Sequence, residues 1–399
     1  MRAWARVAAV LFVIGYGANQ FSPLMVMYRE QGHYSATVVA AFFGVYVAGL
    51  APGLLVGGPL SDRLGRRRVL LPGLVVSVPA SAILAAGAYS EALLYTGRFL
   101  FGMVTGVAMA VGTTWVKELS QAPHDPEADA GSGARRAALA LSAGFGVGPA
   151  VGGVLAQWAP LPMELPYLVH IVLTLPVIAL ALRAPETRTP ERAPRRSLLA
   201  DLTVPAVAHP RFRGLVLPLA PWVFAGPALS FVVQPAAVGA ARTPGFGLIF
   251  ATGLTAVTLS AGVAIQAAAR RLDARAPLAG GRLGLALIVV GTLVAAVTAR
   301  TGSLPVAFVA SAVLGAAYGI SLVSGLLEVQ RIAGPEHLAG LTAVYYTLTY
   351  GGFLLPLILA PLAVHVPYAV LLVVVAALAA VCLGLLVAAG RRTRVPVPA

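Results

Sequence analysis

The chain has 399 residues, of which 59% are hydrophobic and only 11% are charged. Soluble domains carry roughly 25% charged residues, so this composition excludes a soluble globular protein and predicts an integral membrane protein. The formal net charge of +14 would favour a nucleic-acid partner in a soluble domain. Here the basic residues cluster in short connections between apolar runs, so we expect the lipid bilayer, and no nucleic acid, as a partner.

Apolar runs long enough to cross a bilayer recur along the whole chain. A helix needs about 20 mostly apolar residues to span the hydrocarbon core, whereas barrel strands are short alternating segments. The first run is too long for the apolar core of a signal peptide and is interpreted as the first span. The hydropathy pattern predicts twelve spans, at residues 8–28, 37–58, 69–89, 92–115, 137–158, 165–183, 213–235, 246–269, 281–299, 304–327, 338–363 and 367–389.

Lysine and arginine are distributed unevenly between the two sides of the predicted membrane. With the N-terminus in the cytoplasm, 24 of the 28 basic residues fall in inner segments. Three fall in outer loops, namely Arg29, Arg242 and Arg300, and Arg98 lies inside a span. Because cytoplasmic loops carry an excess of positive charge, this distribution predicts that both termini are cytoplasmic.

The middle of the chain divides the predicted spans into two groups of six. The segment 185–212 is rich in proline and arginine, a composition typical of a cytoplasmic linker. Two halves of similar size indicate an all-α membrane protein with two six-helix bundles, as in two-bundle transporters. We expect an N-terminal bundle at residues 1–184, the linker at 185–212, a C-terminal bundle at 213–390 and a cytoplasmic tail at 391–399.

The connection between the second and third predicted spans reads GGPLSDRLGRRRV. Here the chain resembles the major facilitator superfamily of secondary transporters, whose signature is G-x-L-(A/S)-D-R-x-G-R-R. The matching residues are Gly58, Leu60, Ser61, Asp62, Arg63, Gly65, Arg66 and Arg67. Glycine would allow a close helix approach at Gly58 and a tight turn at Gly65. The resemblance implies that Asp62 contacts the start of the eleventh span, near Leu338, and latches the two halves while the cavity opens outward.

The fourth predicted span contains LYTGRFLFG, with Arg98 inside it. The corresponding motif of the family has an arginine followed four residues later by glycine, which Arg98 and Gly102 match. Phe101 replaces the glutamine of that motif. The resemblance links this arginine to proton coupling. A charge within a membrane is usually functional or paired, and the alternative is a side chain that snorkels to the surface.

The fifth predicted span contains GFGVGPAVGG. It is similar to the G-x3-G-P-x2-G-G core that antiporters of the family, chiefly drug and metabolite exporters, carry in this helix. The matching residues are Gly144, Gly148, Pro149, Gly152 and Gly153. The full motif has one more glycine, where this chain has Arg135. We expect a kinked, tightly packed helix, although glycines at this spacing also serve helix packing alone. The sixth span ends in RAPET, similar to the P-E-T ending of many exporters in the superfamily.

In this fold the substrate lies between the bundles near the membrane midplane. Polar and aromatic residues inside spans are candidates to line that cavity, although each is also compatible with a plain helix contact. They are Asn19, Gln20, Gln234, Gln266, Tyr318, Tyr346 and Tyr350. No acid falls in mid-membrane, whereas many exporters of cations use a buried carboxylate. We therefore expect neutral or anionic amphiphiles as substrates.

Three residues are candidates for coupling transport to protons. Arg98 is the fixed charge within a span, and His170 carries an imidazole, a group that titrates near neutrality. Glu30 is the acid that would serve if it turns inward at the end of the first span. A buried histidine is more often simply hydrogen-bonded, and this alternative stays open for His170.

Together these features indicate a secondary active transporter, a proton-coupled exporter of drugs or metabolites of the multidrug resistance kind. Uptake of a metabolite by symport is the alternative, and a polytopic membrane enzyme is a further one. The six histidines are scattered and form no catalytic constellation, so we expect no enzyme, cofactor or metal. Cys382 is the single cysteine, which excludes an internal disulfide. We expect a functional monomer in a bacterial inner membrane.

Overall fold

The computed structural model describes residues 2–129, 131–188, 204–239, 246–276, 278–334 and 338–392. These residues are almost entirely helical, and no β-strand occurs among them. Among the described residues, eleven helices are long and apolar enough to cross a membrane, and Leu165–Ala181 is a shorter apolar helix between two of them. The expected all-helical membrane fold is therefore confirmed, with twelve apolar helices in the places where the hydropathy pattern predicted spans.

We number these helices in chain order. They are α1 (Ala3–Glu30), α2 (Ala36–Leu64), α3 (Arg66–Tyr89), α4 (Glu91–Glu118), α5 (Ser132–Trp158), α6 (Leu165–Ala181), α7 (Phe212–Ala237), α8 (Gly247–Arg275), α9 (Ala279–Thr301), α10 (Leu304–Ile332), α11 (Leu338–Leu362) and α12 (Tyr368–Arg391). Helix α1 is interrupted at Gln20, between Ala3–Asn19 and Phe21–Glu30. A π-helical turn, a feature that often marks functional sites, occurs in α7 at Leu229–Val233.

The chain forms two compact units, Met1–Thr203 and Val204–Ala399. Six of the twelve helices lie in each unit, as in two-bundle transporters. Most of the predicted linker, residues 189–203, lies outside the described part of the chain. Of its remaining residues, 185–188 belong to the first unit and a short 3₁₀ turn at Pro205–Ala208 belongs to the second.

Glycines allow close helix contacts in both units. Between α4 and α2, a Cβ atom added to Gly102 would lie 2.0 Å from the carbonyl oxygen of Tyr46. Between α10 and α8, a Cβ atom added to Gly319 would lie 2.0 Å from the carbonyl oxygen of Gly262. Helices in lipid associate through such close packing because no hydrophobic force drives them together. The second and fourth helices of each unit are thus joined in the same way, which supports an internal duplication.

Buried apolar side chains fill the interior of each unit. In the first unit Trp115 is fully buried, and its indole N–H donates to the carbonyl oxygen of Pro185 at 3.0 Å. This bond fastens the segment after α6 to the C-terminal end of α4. In the second unit Leu229, Ile288 and Leu314 lie in one fully buried cluster. Each unit therefore has its own core.

Candidate functional site

The charged connection between α2 and α3 forms a compact ion-pair network. The Arg66 guanidinium donates to Asp62 at 2.6 Å and to Glu118, the last residue of α4, at 2.9 Å. It also donates to the Ser61 hydroxyl at 2.6 Å. The Arg66 side chain is only 7% exposed, so these partners stabilise a cation that burial alone would destabilise. Arg63, another residue of the expected latch, is half-buried at the end of α2.

Glu186 caps the N-terminus of α3. Its carboxylate accepts hydrogen bonds from the backbone N–H groups of Arg66 and Arg67, both at 2.9 Å. A negative charge at this position satisfies free N–H groups and interacts favourably with the helix dipole. Thr187 donates to Glu118, so two residues of the RAPET ending join the network. The sequence motif alone did not predict this contact, because Glu186 and Arg66 lie 120 residues apart in the chain.

The two glycines of this connection have different surroundings. Gly65 adopts a φ of 98°, which favours glycine, and a Cβ atom there would lie 2.7 Å from the Glu186 carboxylate. The expected tight turn is therefore present. At Gly58, no atom of the described residues lies within 4 Å of the added Cβ position. The close helix approach expected at Gly58 is therefore not seen among the described residues, whereas Gly49 and Gly53 of the same helix pack against the backbone of α4.

Arg98 lies in an aromatic enclosure inside the first unit and is only 1% exposed. Its guanidinium carbon lies 4.3 Å from the ring centroids of both Phe21 and Tyr46, an arrangement that attracts a cation to the ring faces. Its nitrogens donate to the carbonyl oxygens of Ala18 at 3.2 Å and Phe42 at 3.4 Å. The snorkelling alternative is therefore wrong, and within the described residues Arg98 is held by carbonyl oxygens and rings rather than by carboxylates.

His170 is fully buried and has hydrogen-bond partners at both ring nitrogens. Its Nε2 atom lies 3.1 Å from the carbonyl oxygen of Val13, which can only accept, so Nε2 carries the hydrogen. Its Nδ1 atom then accepts from the Ser81 hydroxyl at 2.8 Å. These bonds tie α6 to α1 and α3. The geometry favours the alternative that the sequence left open, a histidine that is simply hydrogen-bonded.

Glu30 ends α1 and is half-buried. Its Oε1 atom is buried and has no hydrogen-bond partner among the described residues. A buried carboxylate oxygen without a donor is costly when the group is charged. Glu30 is therefore a coupling candidate with one carboxylate oxygen that has no hydrogen-bond partner among the described residues.

The glycine motif of α5 packs against α1. A Cβ atom added to Gly148 would lie 2.2 Å from the carbonyl oxygen of Tyr16, and Gly144 makes a similar contact one turn earlier. A Cβ atom added to Gly152 would lie 3.3 Å from the Cβ atom of Gln20. These distances leave no room for side chains without movement of α1. The tight packing expected of this motif is therefore present, and it lies beside the interruption of α1.

Asn19, next to the interruption of α1, is hydrogen-bonded to α5. Its amide nitrogen donates to the carbonyl oxygen of Phe145 at 2.8 Å, and its amide oxygen accepts from the Ser22 hydroxyl at 2.9 Å. Pro149 and Gly153 are buried in α5, and the helix runs through them without a break. Asn19 thus has protein partners at both ends of its side chain, as a structural residue would.

Arg135 occupies the position where the full antiporter motif has a further glycine. Its guanidinium donates to Asp129 at 2.7 Å, and both side chains are largely exposed. Hydrogen bonds from Arg135 and Ser132 lower the pKa of Asp129 to about 2. An exposed pair of this kind stabilises little. The departure from the motif therefore places an exposed arginine in the first turn of α5 and leaves the packed part of the helix unchanged.

Two polar side chains close to the interruption of α1 have no hydrogen-bond partner among the described residues. Gln20 is fully buried, and neither its amide nitrogen nor its amide oxygen has a hydrogen-bond partner among the described residues. The buried Tyr16 hydroxyl lacks one as well. The two residues are four apart and share one face of the helix. The sequence singled out Gln20 as a polar residue in a span, but it gave no sign that Tyr16 belongs with it.

Gln234 belongs to a polar cluster in the second unit. Its amide nitrogen donates to the Ser311 hydroxyl at 3.0 Å. The Ser230 hydroxyl lies 2.7 Å from Ser311 and 2.6 Å from the Thr258 hydroxyl. The cluster joins α7, α8 and α10 at the π-helical turn of α7. Gln266, the other candidate glutamine of this unit, is half-buried in α8.

Phe224 of α7 lies close to three other aromatic side chains of the second unit. Its ring centroid lies 4.3 Å from that of Tyr350, 4.9 Å from that of Phe353 and 5.3 Å from that of Tyr318. Tyr346 is half-buried in α11. The structure thus brings Tyr318 and Tyr350 together through a phenylalanine that the sequence did not distinguish from the other apolar residues of its span.

The connection between α8 and α9 is built around a buried acid. Asp273 is fully buried and accepts from the backbone N–H of Gly280 at 2.9 Å and from the Ser324 hydroxyl at 3.1 Å. One turn beyond Ser324, Glu328 pairs with Arg211 at 2.6 Å. Asp273 therefore caps α9 much as Glu186 caps α3. Within the described residues, no group of three or more histidine, cysteine or acidic side chains could hold a metal ion.

The chain matches a family model and is similar to several known proteins. The family model described as the Major Facilitator Superfamily matches residues 7–356. The multidrug efflux pump LfrA of Mycolicibacterium smegmatis is 31% identical over 205 residues, which cover 48% of this chain and 38% of LfrA. The chain therefore matches well under half of that relative's length.

Solved structures extend the likeness to nearly the whole chain. The nucleoside transporter NupG has a TM-score of 0.74 at 11% identity, covering 98% of this chain and 100% of NupG. The human organic anion transporter MFSD10 (TETRAN) has a TM-score of 0.65 at 18% identity, covering 97% of this chain and 100% of that one. At such identities the likeness shows the fold alone and leaves the substrate open.

Proposed function

The chain belongs to the Major Facilitator Superfamily, and on that premise we propose that it exports small amphiphilic molecules in exchange for protons. It is a multi-pass membrane transporter of small molecules and not an enzyme. The observation that carries the export proposal is the α5 glycine motif, whose residues Gly144, Gly148 and Gly152 all face α1. Similarity to a multidrug efflux pump over 48% of the chain supports it. We place the protein in the bacterial inner membrane as a monomer, with both termini cytoplasmic.

Alternating access requires bundles that move as bodies. In the first unit the Arg66 network holds α2, α3, α4 and the segment after α6 together. Asp62 is 47% exposed at one side of this network, so its carboxylate has capacity for a further partner. We assign it the role of a latch that engages the start of α11, near Leu338, when the cavity opens outward.

The buried acids favour neutral or anionic substrates over cations. Three acidic residues are buried among the described residues, and each has a partner. Asp125 pairs with Arg136, Glu328 pairs with Arg211, and Asp273 accepts from a backbone N–H and a hydroxyl. Many exporters of cations use an unpaired carboxylate within the membrane, and these three paired acids do not supply one. Glu30, half-buried with a free oxygen, is the group to which we assign the proton.

Accumulation of amphiphiles in a bacterial host that lacks its major efflux pumps tests this function. The wild-type protein is expected to lower the accumulation of neutral or anionic amphiphiles, and a protonophore is expected to restore it. Glu30→Gln should also restore accumulation, because it removes the titratable group. His170→Gln is the matched control and should leave the pH dependence of export unchanged.

Two results would contradict the proposal. Raised accumulation in cells that express the wild-type protein would show uptake, the symport alternative. Strong export of permanently cationic dyes, lost when one particular acid is replaced, would show that a carboxylate selects cations and would overturn the expected substrate charge.

A further inference from the structure

The buried glutamines of the two units differ in their hydrogen bonding. Gln20 and Gln234 are both 0% exposed. The amide nitrogen of Gln234 donates to Ser311 at 3.0 Å, and only its amide oxygen lacks a partner. Gln20 lacks partners at both amide atoms among the described residues. Gln20 is therefore fully desolvated without compensation from the protein.

Such an amide calls for an explanation. Buried polar groups in folded proteins are nearly always hydrogen-bonded, and an unpaired amide in an apolar interior destabilises the folded state. A leucine of similar size would fill the same space without that cost. The Gln20 amide is therefore suited to form hydrogen bonds with a bound ligand.

A second buried polar group without a hydrogen-bond partner among the described residues lies nearby, and the packing of α5 explains why both groups lack one. The Tyr16 hydroxyl is buried without a hydrogen-bond partner in the described part of the chain, and Tyr16 lies one turn before Gln20 on the same face of α1. Where α5 packs against this part of α1, Gly148 and Gly152 make the contact, and glycine offers no side-chain partner. Asn19, next in the chain, is bonded to α5 instead.

From the positions of these two groups we infer that Tyr16 and Gln20 form a binding site for the edge of a neutral amide. At such an amide edge the ligand presents an N–H donor beside a carbonyl acceptor. A glutamine side chain offers one donor and one acceptor in parallel and pairs with such an edge through two hydrogen bonds, as it does with adenine. The Tyr16 hydroxyl supplies a third bond. The inference rests on the proposed transport function and names the substrate class as neutral amphiphiles with a carboxamide, lactam or imide.

The site carries no charge of its own. A carboxylate ligand would find only one N–H-bearing amide and one hydroxyl here, and it would face the unpaired oxygen of Gln20. Arg98, the fully buried cation of this unit's membrane interior, already has two carbonyl oxygens and two ring faces around it. Neutral amides are therefore favoured over anions at this position.

Binding to the purified full-length protein tests the inference with three fluorescent probes. These are 2-naphthamide, N,N-dimethyl-2-naphthamide, which lacks the N–H donors, and 2-naphthoate, which is anionic. Wild-type protein is expected to bind 2-naphthamide about tenfold or more tightly than the dimethyl compound, because the latter leaves buried groups unpaired. Gln20→Leu should abolish this preference and Tyr16→Phe should reduce it, whereas Gln234→Leu should keep it.

A ligand-free measurement separates a binding role from a structural one. Gln20→Leu is expected to raise Tm by about 2–4 °C, since it removes an unpaired buried amide. Gln234→Leu is expected to lower Tm, because it breaks the bond to Ser311. A fall in Tm for Gln20→Leu would show that the amide stabilises the fold, and this would overturn the inference. The absence of a probe preference in the wild type, or its survival in Gln20→Leu, would overturn it as well.

These outcomes are distinct from failure of the export proposal. If the probe preference depends on Gln20 while cells accumulate rather than export amphiphiles, the binding site stands and the transport direction is wrong. If cells export amphiphiles while Gln20→Leu keeps the probe preference, export stands and the amide-edge site is wrong.

Discussion

Replacement of Arg66 by methionine is expected to abolish transport and to destabilise the protein. The substitution leaves Asp62 and Glu118 without the cation that joins them. Breaking a fully buried ion pair costs roughly 3–5 kcal/mol. Because the Asp62 and Glu118 side chains are 47% and 31% exposed, water compensates part of that loss, and we expect about 2 kcal/mol. Unfolding of the purified protein and export in cells measure the two effects.

Arg68 supplies the control for this substitution. It lies two residues from Arg66 in the same basic run, but its side chain is exposed. Arg68→Met should change stability by less than about 0.5 kcal/mol, as surface substitutions usually do, and should leave export intact. The double variant Arg66→Met with Glu118→Gln should recover part of the lost stability, because it removes one uncompensated charge. Equal effects of Arg66→Met and Arg68→Met would contradict the role assigned to the network.

Gly148→Val is the second substitution with a large expected effect. The new Cβ atom would lie 2.2 Å from the carbonyl oxygen of Tyr16, so α1 and α5 would have to move apart. Overpacking of this kind typically costs about 1–3 kcal/mol, and here the neighbour is backbone that cannot rotate away. We expect a loss of about 3 kcal/mol and no measurable export. Thermal unfolding and cellular accumulation give the two readouts.

Gly146 provides a matched control in the same helix. Among the described residues, no atom lies within 4 Å of a Cβ atom added there, and the helix-propensity cost of valine is the same at both positions. Gly146→Val should therefore fold and transport like the wild type. Similar losses in Gly146→Val and Gly148→Val would show that valine disturbs α5 itself and that contact with α1 is not the cause.

The sequence predicted the membrane fold and its helices well, because a run of about 20 apolar side chains is long enough to cross the bilayer. In lipid such a run must be helical, since its backbone polar groups have to be satisfied internally. Gly65 was also predictable, since a glycine between two helices favours a positive φ. For Gly58 the motif does not tell which neighbour lies beside the glycine. Among the described residues, α2 approaches the backbone of α4 at Gly49 and Gly53.

Contacts between distant segments were beyond the sequence. Glu186 caps α3 from 120 residues away, and periodicity carries no information about such pairs. Gln20 and Gln234 look alike as polar residues in apolar spans, yet Gln234 has a bonded amide nitrogen and Gln20 has no partner among the described residues. Only the positions of neighbouring hydroxyl groups distinguish them. For Arg98, the sequence indicated an unusual charge, and the structure supplied the rings and carbonyl oxygens around it.

Proton movement coupled to substrate movement is the central claim, and reconstituted liposomes with a pH-sensitive dye in the lumen test it most directly. The substrate is the neutral amphiphile most strongly exported by cells. We predict that an acidic lumen drives the substrate inward and that substrate entry makes the lumen more alkaline, since the two move in opposite directions. Acidification of the lumen on substrate entry would show symport, and substrate entry without any change in lumenal pH would contradict proton coupling altogether.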